Sequence, residues 1–436
     1  MRLAQNGFFL KHGMESSVGF PNGPGMYQLA GVFALFGGTT PEYFAIWALL
    51  FSVTAPLGLC IVLYRQLGRQ IALTAALLLA GTPMLIFLGA NLWPPVFLPI
   101  FGIGILYLTS EAWRRNDVRF WCGACVLTAV TGSIHLSAFF LVPGLLLIFF
   151  CKRWNWWWIP VAGLAGAVIL APWLWYLIFE WEYQRFPDPS SGMVKTWHWF
   201  REIINCFGGG FLAEYYGDDW IEGLRNFFTA PGSIVLLLIA AGLPWCGALW
   251  AVWIMIRRKK EVPIPVYCAV ILVGSLLCGY LLLGVHVYFF YLFLVMPFLC
   301  VIAAWGWGCY QSGRLRNCIL IVWCASALLI AGGALFDMKQ GFGHPLEYGP
   351  SYDFWRLLRM DLQELETKNG VLKINFQISR RAGSRFSPGV VRFLLGNFMQ
   401  KEGIPLLVRI DYDPEKRQFV RNIIFLREIR SFPQKK

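Results

Sequence analysis

Between residues 42 and 335 the sequence runs through a near-unbroken series of apolar stretches whose middles carry no Asp, Glu, Lys or Arg. A bilayer's hydrocarbon core, about 30 Å thick, takes roughly 20 such residues per helix. With 57% hydrophobic and 14% charged residues in 436, against about 25% charged in ordinary domains, the chain has too little polar surface to fold in water. The stretches lie at 42–64, 71–88, 93–108, 120–151, 156–179, 233–256, 265–283, 288–307 and 318–335, with a shorter apolar piece at 28–36. The fold class that follows is an all-α polytopic membrane protein.

The run 120–151 is long for one helix and tight for two, and charge decides between them. Arg119 precedes it and Lys152 and Arg153 follow it, so both ends share a side only if the chain turns near Ser133, Ile134 and His135. The positive-inside bias favours that turn, which makes about ten spans. The inner loops then hold Arg65, Arg69, Arg114, Arg115, Arg119, Lys152, Arg153, Arg257, Arg258, Lys259, Lys260, Arg314 and Arg316, and the short outer turns hold no Lys or Arg. Both termini fall outside in this reading.

Three further segments complete the organisation. Residues 1–41 read as the remnant of a first extracytoplasmic loop, with no signal peptide before it. Residues 42–338 form the transmembrane domain, interrupted at 180–231 by a polar, aromatic-rich extracytoplasmic loop suited to a lipid and water boundary. Residues 339–436 have 18 Lys or Arg against 10 Asp or Glu, strand-like runs (KINFQI, PLLVRI, VRNIIFL) and helix-like runs at 352–367 and 388–401. We read them as a small α/β extracytoplasmic domain whose basic surface lies near anionic headgroups.

Composition also excludes functions. The net charge of +13 sits in short loops and the tail, which argues against a nucleic-acid groove and leaves no nucleic-acid partner. Most of the 12 cysteines fall in apolar stretches as small hydrophobes, and the Cys122, Cys125 pair has no second pair to make a zinc site. No spacing reads as a strong metal site, so no cofactor is assigned and a divalent cation stays open.

All five histidines, His12, His135, His198, His286 and His344, face outward in this topology, whereas the inner side has only Glu111, Asp117 and Glu261 as acids. A transporter more often places charge at mid-membrane, so chemistry at the outer interface fits better. The Gly/Pro-rich stretch at 13–27 resists regular helix, and its Ser16, Ser17 and Asn22 side chains need partners. His135 and His286 are open to two readings, substrate contact or a headgroup anchor. Asp218 and Asp219 are open to three: sugar binding, metal binding with Glu214, or solvation of a turn.

Four stretches carry a family resemblance: G-x-x-S-S-x-G-x-P-N-x-P at 13–24, RQLGRQIALTAALLLAGTPM at 65–84, IHLSAFFLVP at 134–143 and HVYFFYLFLVMP at 286–297. Over roughly residues 2–338 the chain resembles the GT-C membrane glycosyltransferases, the group with the dolichyl-phosphate-mannose protein mannosyltransferases and the bacterial aminoarabinose and RgtA/B/C/D-like transferases. The resemblance implies an inverting transfer at the outer face of a membrane, a bacterial inner membrane here. A sugar leaves a polyprenyl phosphate for an acceptor glycan, lipid or protein, with membrane lipid as the surroundings. It implies Tyr288 beside His286 as substrate contacts, and Arg185, Lys195 and Arg201 as cations for the lipid phosphate.

The sequence also departs from that pattern. The family's base is an Asp in the first outer loop, soon after a first span, and neither stands in these 436 residues. Glu15 does not match its place. Where the family often has an acid this chain reads Asn91, Leu92, Trp93, and its late Arg-Tyr is Val287, Tyr288. The expectation is a protein truncated at its N-terminus, inactive in this form. The alternative is a non-enzymatic membrane protein, either a lipid-linked glycan carrier or flippase, or an inactive polyprenyl-lipid-binding relative.

Overall fold

The computed structural model describes residues 11, 21–36, 41–88, 94–180, 207, 230–257, 262–283, 289–309, 313–341, 343–344, 349–350, 352–369, 372–378, 404–413 and 418–425. It divides into two compact units, Met1–Phe211 with Val235–Leu329, and Leu212–Ile234 with Ile330–Lys436.

Helices make up the first unit. In chain order they are α1 (Gly25–Leu35), α2 (Pro41–Leu67), α3 (Arg69–Ala80), α4 (Pro83–Leu88), α5 (Leu98–Arg115), α6 (Val118–Ile134), α7 (Val142–Lys152), α8 (Trp158–Phe179), α9 (Ala230–Arg257), α10 (Ile264–Leu283), α11 (Met296–Gly308) and α12 (Gly313–Gly341). The last of these runs on into the second unit. Each apolar stretch of the sequence carries a helix, and the protein is a polytopic membrane protein. Leu164 at 68% exposure, Val168 at 67% and Ile61 at 70% show bare aliphatic faces of the kind a bilayer covers.

Length separates the helices into two groups. Among the described residues five are long and apolar enough to cross a bilayer, at Ile46–Leu67, Pro95–Arg115, Trp158–Phe179, Val235–Arg257 and Ile264–Leu282. Of the rest, α12 is long but its apolar part is only Arg316–Gly332, and others are short because the chain breaks them. The span expected at 71–88 stops at Gly81, because Pro83 offers no N–H and its ring disfavours helix just before it. The Trp323 ring also fills the space where a Gly81 side chain would start, 2.5 Å from an ideal Cβ. The run 120–151 turns where charge places the turn: α6 ends at Ile134, His135 is extended (φ −153, ψ 127), and a 3-10 turn at Leu136–Leu141 leads into α7.

Polar atoms inside the bundle are satisfied across helices. Pro244 in α9 cannot donate to the Ala240 carbonyl four residues back, and an orphaned carbonyl is expensive in an apolar interior. The Trp323 indole of α12 donates to it at 2.9 Å, and the Trp307 indole of α11 donates to Leu243 O at 3.1 Å. Ser275 of α10 bridges the junction before α7, accepting from Gly144 N at 2.8 Å and donating to Phe140 O at 2.6 Å. Helices α9 and α11 touch backbone to backbone at Gly247 and Gly306, where a Gly306 Cβ would fall 1.9 Å from Gly247 O. Small residues permit this approach, as in membrane helix pairs generally.

One end of the unit collects the basic loops. Buried Glu111 accepts from Gln66 Nε2 (2.9 Å), Arg114 Nη2 (2.6 Å) and Arg115 Nε (2.6 Å). Arg316 donates to Gln70 at 3.1 Å, and Trp154 donates to Asn116, the left-handed residue that closes α5, at 3.1 Å. The last bond ties the turn before α6 to the turn after α7, so the two basic ends of run 120–151 do share a side. Arg114 and Arg115 are half exposed, and water can replace much of what Glu111 gives them. Glu111→Ala should therefore cost about 1–2 kcal/mol, read as a lowered thermal midpoint in detergent.

In the second unit, β3 (Leu372–Ile378) pairs parallel with β4 (Ile404–Asp413), which pairs antiparallel with β5 (Gln418–Phe425). Leu406, Val408 and Ile410 alternate into the core, as does the Leu358, Leu362 stripe of α13 (Tyr352–Asn369), the two periods expected of strand and helix. Arg421 donates to Asp361 at 2.6 Å and joins β5 to that helix. A two-residue ladder, β1 (Gly343–His344) with β2 (Gly349–Pro350), precedes it. These elements coincide with the strand-like runs and the helix at 352–367, while the expected helix at 388–401 lies outside the described residues.

Candidate functional site

The end of the first unit opposite the arginines is organised around the turn from Ser133 to Ser137. Residues Pro21 to Gly25, which lead into α1, lie directly on it. An ideal Cβ on Gly23 would sit 2.7 Å from Ser133 Cα and O, and one on Gly25 would sit 2.2 Å from Ser133 Oγ and 2.8 Å from its carbonyl carbon. Only glycine allows backbone to approach backbone so closely. From the other side, the Trp173 indole near the end of α8 donates to Pro21 O at 3.0 Å. The Trp173 ring stacks on Phe139 at 5.8 Å, and Phe139 in turn lies over Gly132, which has no side chain to hold it off.

His135 is buried in this turn, outside both flanking helices. Its Nδ1 accepts from the Ser137 N–H at 3.3 Å and lies 2.8 Å from Ser137 Oγ. An accepting Nδ1 puts the ring proton on Nε2. Burial pushes the imidazole down to about 4, so it is neutral at ordinary pH. Its ring lies 5.4 Å from that of Tyr291, which stacks on Tyr280 of α10 at 5.6 Å, and Tyr280 packs on Phe140 at 4.5 Å. The Tyr280 hydroxyl lies beside the Ser137 side chain but meets no partner at full hydrogen-bond geometry. Asn22 Oδ1 is enclosed with no partner among the described residues, an arrangement native proteins rarely leave without a water or ligand group. Lys11 and Glu180 form an ion pair in the same unit.

Of the residues singled out in the sequence, the structure places Asn22 and His135, and the contact of Gly23 and Gly25 with Ser133 brings their segments together. Ser16, Ser17, Arg185, Lys195, Arg201, Asp218, Asp219, His286 and Tyr288 lie outside the described residues. Sequence reasoning missed Trp173, Ser137, Tyr280 and Tyr291. Ser137 and Tyr291 lie inside the quoted runs 134–143 and 286–297, whereas Trp173 and Tyr280 stand in uniformly apolar helices with no local signal. Among the described residues no group of three His, Cys, Asp or Glu side chains gathers to hold a metal. A shallow cavity of about 340 Å³ lined by Leu108, Asp117, Arg119 and Phe120 belongs to the opposite, basic end.

Comparison with known proteins agrees with this architecture. Residues 24–176 match the family model of dolichyl-phosphate-mannose-protein mannosyltransferases. The apo structure of ArnT from Cupriavidus metallidurans is similar with a TM-score of 0.53 at 12% identity, over 90% of this chain and 82% of that one. The same protein bound to undecaprenyl phosphate gives a TM-score of 0.51 at 12% identity, over 94% of this chain and 85% of that one. No curated protein matches the sequence. At such identity the likeness establishes the fold, and it spans both units.

Proposed function

On the premise that this chain is a polytopic membrane protein of the GT-C fold, we propose that it is a glycosyltransferase moving a sugar from a polyprenyl phosphate to an acceptor. The reaction runs at the end of the bundle that carries His135, and we place that end on the extracytoplasmic side of a bacterial inner membrane. Transfer needs a carboxylate to take the proton of the acceptor hydroxyl, and cations or dipoles to hold the departing phosphate. We assign the phosphate to Arg185, Lys195 and Arg201, and the sugar and acceptor to Ser16, Ser17, Asn22, His135, Asp218, Asp219, His286 and Tyr288. The acceptor is a glycan, lipid or protein of the cell envelope.

The observation that carries this reading is the seating of residues 21–25, with an Asn22 oxygen that has no partner among the described residues, on the histidine-bearing turn, while Glu111 and the arginines occupy the other end. A polar segment set at one mouth of an otherwise apolar bundle suits a substrate whose lipid stays in the membrane and whose headgroup lies at its surface. The test uses the full chain in lipid nanodiscs. It should bind undecaprenyl phosphate, the ligand seen in the similar structure, in preference to a phospholipid of the same charge. Equal binding of the two would overturn the reading. Passage of the lipid-linked sugar across vesicles without transfer would favour a carrier instead.

A further inference from the structure

The turn Ser133 to Ser137 touches two segments remote in sequence. On one flank Gly23 and Gly25 press on Ser133; on the other, the His135 ring meets Tyr291, more than 150 residues away from it in sequence. Two hydrogen bonds within the turn, both to His135 Nδ1 from Ser137, fix the imidazole plane. A third contact closes the seat, since Trp173 donates to Pro21 O while its ring is held parallel to Phe139, the planes within 4°. Segment Pro21 to Gly25 is thus held between α6, through Ser133, and α8, through Trp173.

We propose that Trp173 and His135 are positioning residues: they hold segment Pro21 to Gly25 so that the enclosed Asn22 oxygen meets the substrate headgroup, and neither touches substrate itself. The inference rests on the glycosyltransferase reading, gives Trp173 a role that reading leaves open, and moves His135 from substrate contact to support of the segment that makes it. His135 becomes a strut. Both its burial and the engagement of Nδ1 fit a strut better than a ligand. The hydrogen bond from Trp173 to Pro21 O can be removed while its ring stays stacked on Phe139.

Two variants isolate these roles. Trp173→Phe keeps a ring against Phe139 and deletes the donor to Pro21 O. His135→Ala deletes the acceptor for Ser137, whereas His135→Asn restores an oxygen close to the place of Nδ1. The full chain in nanodiscs is assayed for undecaprenyl phosphate affinity and for amide hydrogen exchange in residues 21–33. Trp173→Phe and His135→Ala should each speed exchange there and weaken affinity about tenfold, the size of one hydrogen bond, with the thermal midpoint little changed. His135→Asn should recover most of the affinity. Faster exchange with unaltered affinity, or an Asn variant no better than Ala, would overturn the inference. Absence of binding by the unsubstituted protein would instead remove the glycosyltransferase reading on which it stands.

Discussion

Trp323→Ala should destabilise the protein by about 3–5 kcal/mol, enough to leave much of it unfolded on extraction into detergent. Trp323 is fully buried and does two jobs at once. Its ring fills the break between α3 and α4 at Gly81, and its indole N–H satisfies the carbonyl that Pro244 leaves without a donor. The two contributions separate by substitution. Trp323→Phe keeps much of the ring and strands the Ala240 carbonyl, for a loss of about 1–3 kcal/mol. Pro244→Ala in the Phe background supplies a backbone N–H to that carbonyl and should recover part of the loss. Thermal midpoints and detergent-solubilised yield of the three variants check this; a Phe variant as stable as the parent would show that the Ala240 bond contributes nothing.

That interplay marks the border of what the sequence makes legible. Apolar stretches announce themselves because the bilayer demands them one by one, and Arg119, Lys152 and Arg153 locate a turn because charge cannot cross cheaply. His135 therefore falls at the turn that charge alone predicts, and the Asn116 to Trp154 bond joins the basic ends. Helix breaks are another matter. Gly81 and Pro83 are visible in the sequence, but apolar stretches tolerate glycine and proline when a neighbour repairs the backbone, and the neighbour here, Trp323, is more than two hundred positions away. The seat of the candidate site is hidden for the same reason. The Gly/Pro-rich stretch and the turn at Ser133 are each visible locally, but that Gly23 and Gly25 meet Ser133 and that Trp173 holds Pro21 are contacts between segments that no periodicity encodes. Alternation in β4 and the stripe of α13, by contrast, are local patterns, and they are read correctly in the tail.

Gly25→Ala should weaken undecaprenyl phosphate binding about tenfold, the size of one hydrogen bond from Asn22, while leaving most of the bundle folded. The added methyl would stand 2.2 Å from Ser133 Oγ and 2.8 Å from the Ser133 carbonyl carbon. A hydroxyl can rotate away; a carbonyl carbon at the end of α6 cannot, so the segment carrying Asn22 must lift instead. Ser133→Gly in the same protein removes the nearer clash and not the farther one, and should rescue only part of the loss. Two glycines of α8 supply controls. An alanine at Gly166 would touch Ala129 Cβ at an ordinary 3.5 Å, and one at Gly163 would meet nothing within 4 Å. Both should be neutral, or stabilising by a few tenths of a kcal/mol up to about 1 as helix propensity improves. Undecaprenyl phosphate affinity measured across the four proteins gives the comparison. A Gly25→Ala protein that binds as tightly as the Gly166→Ala control would mean that the close approach to Ser133 has no part in function.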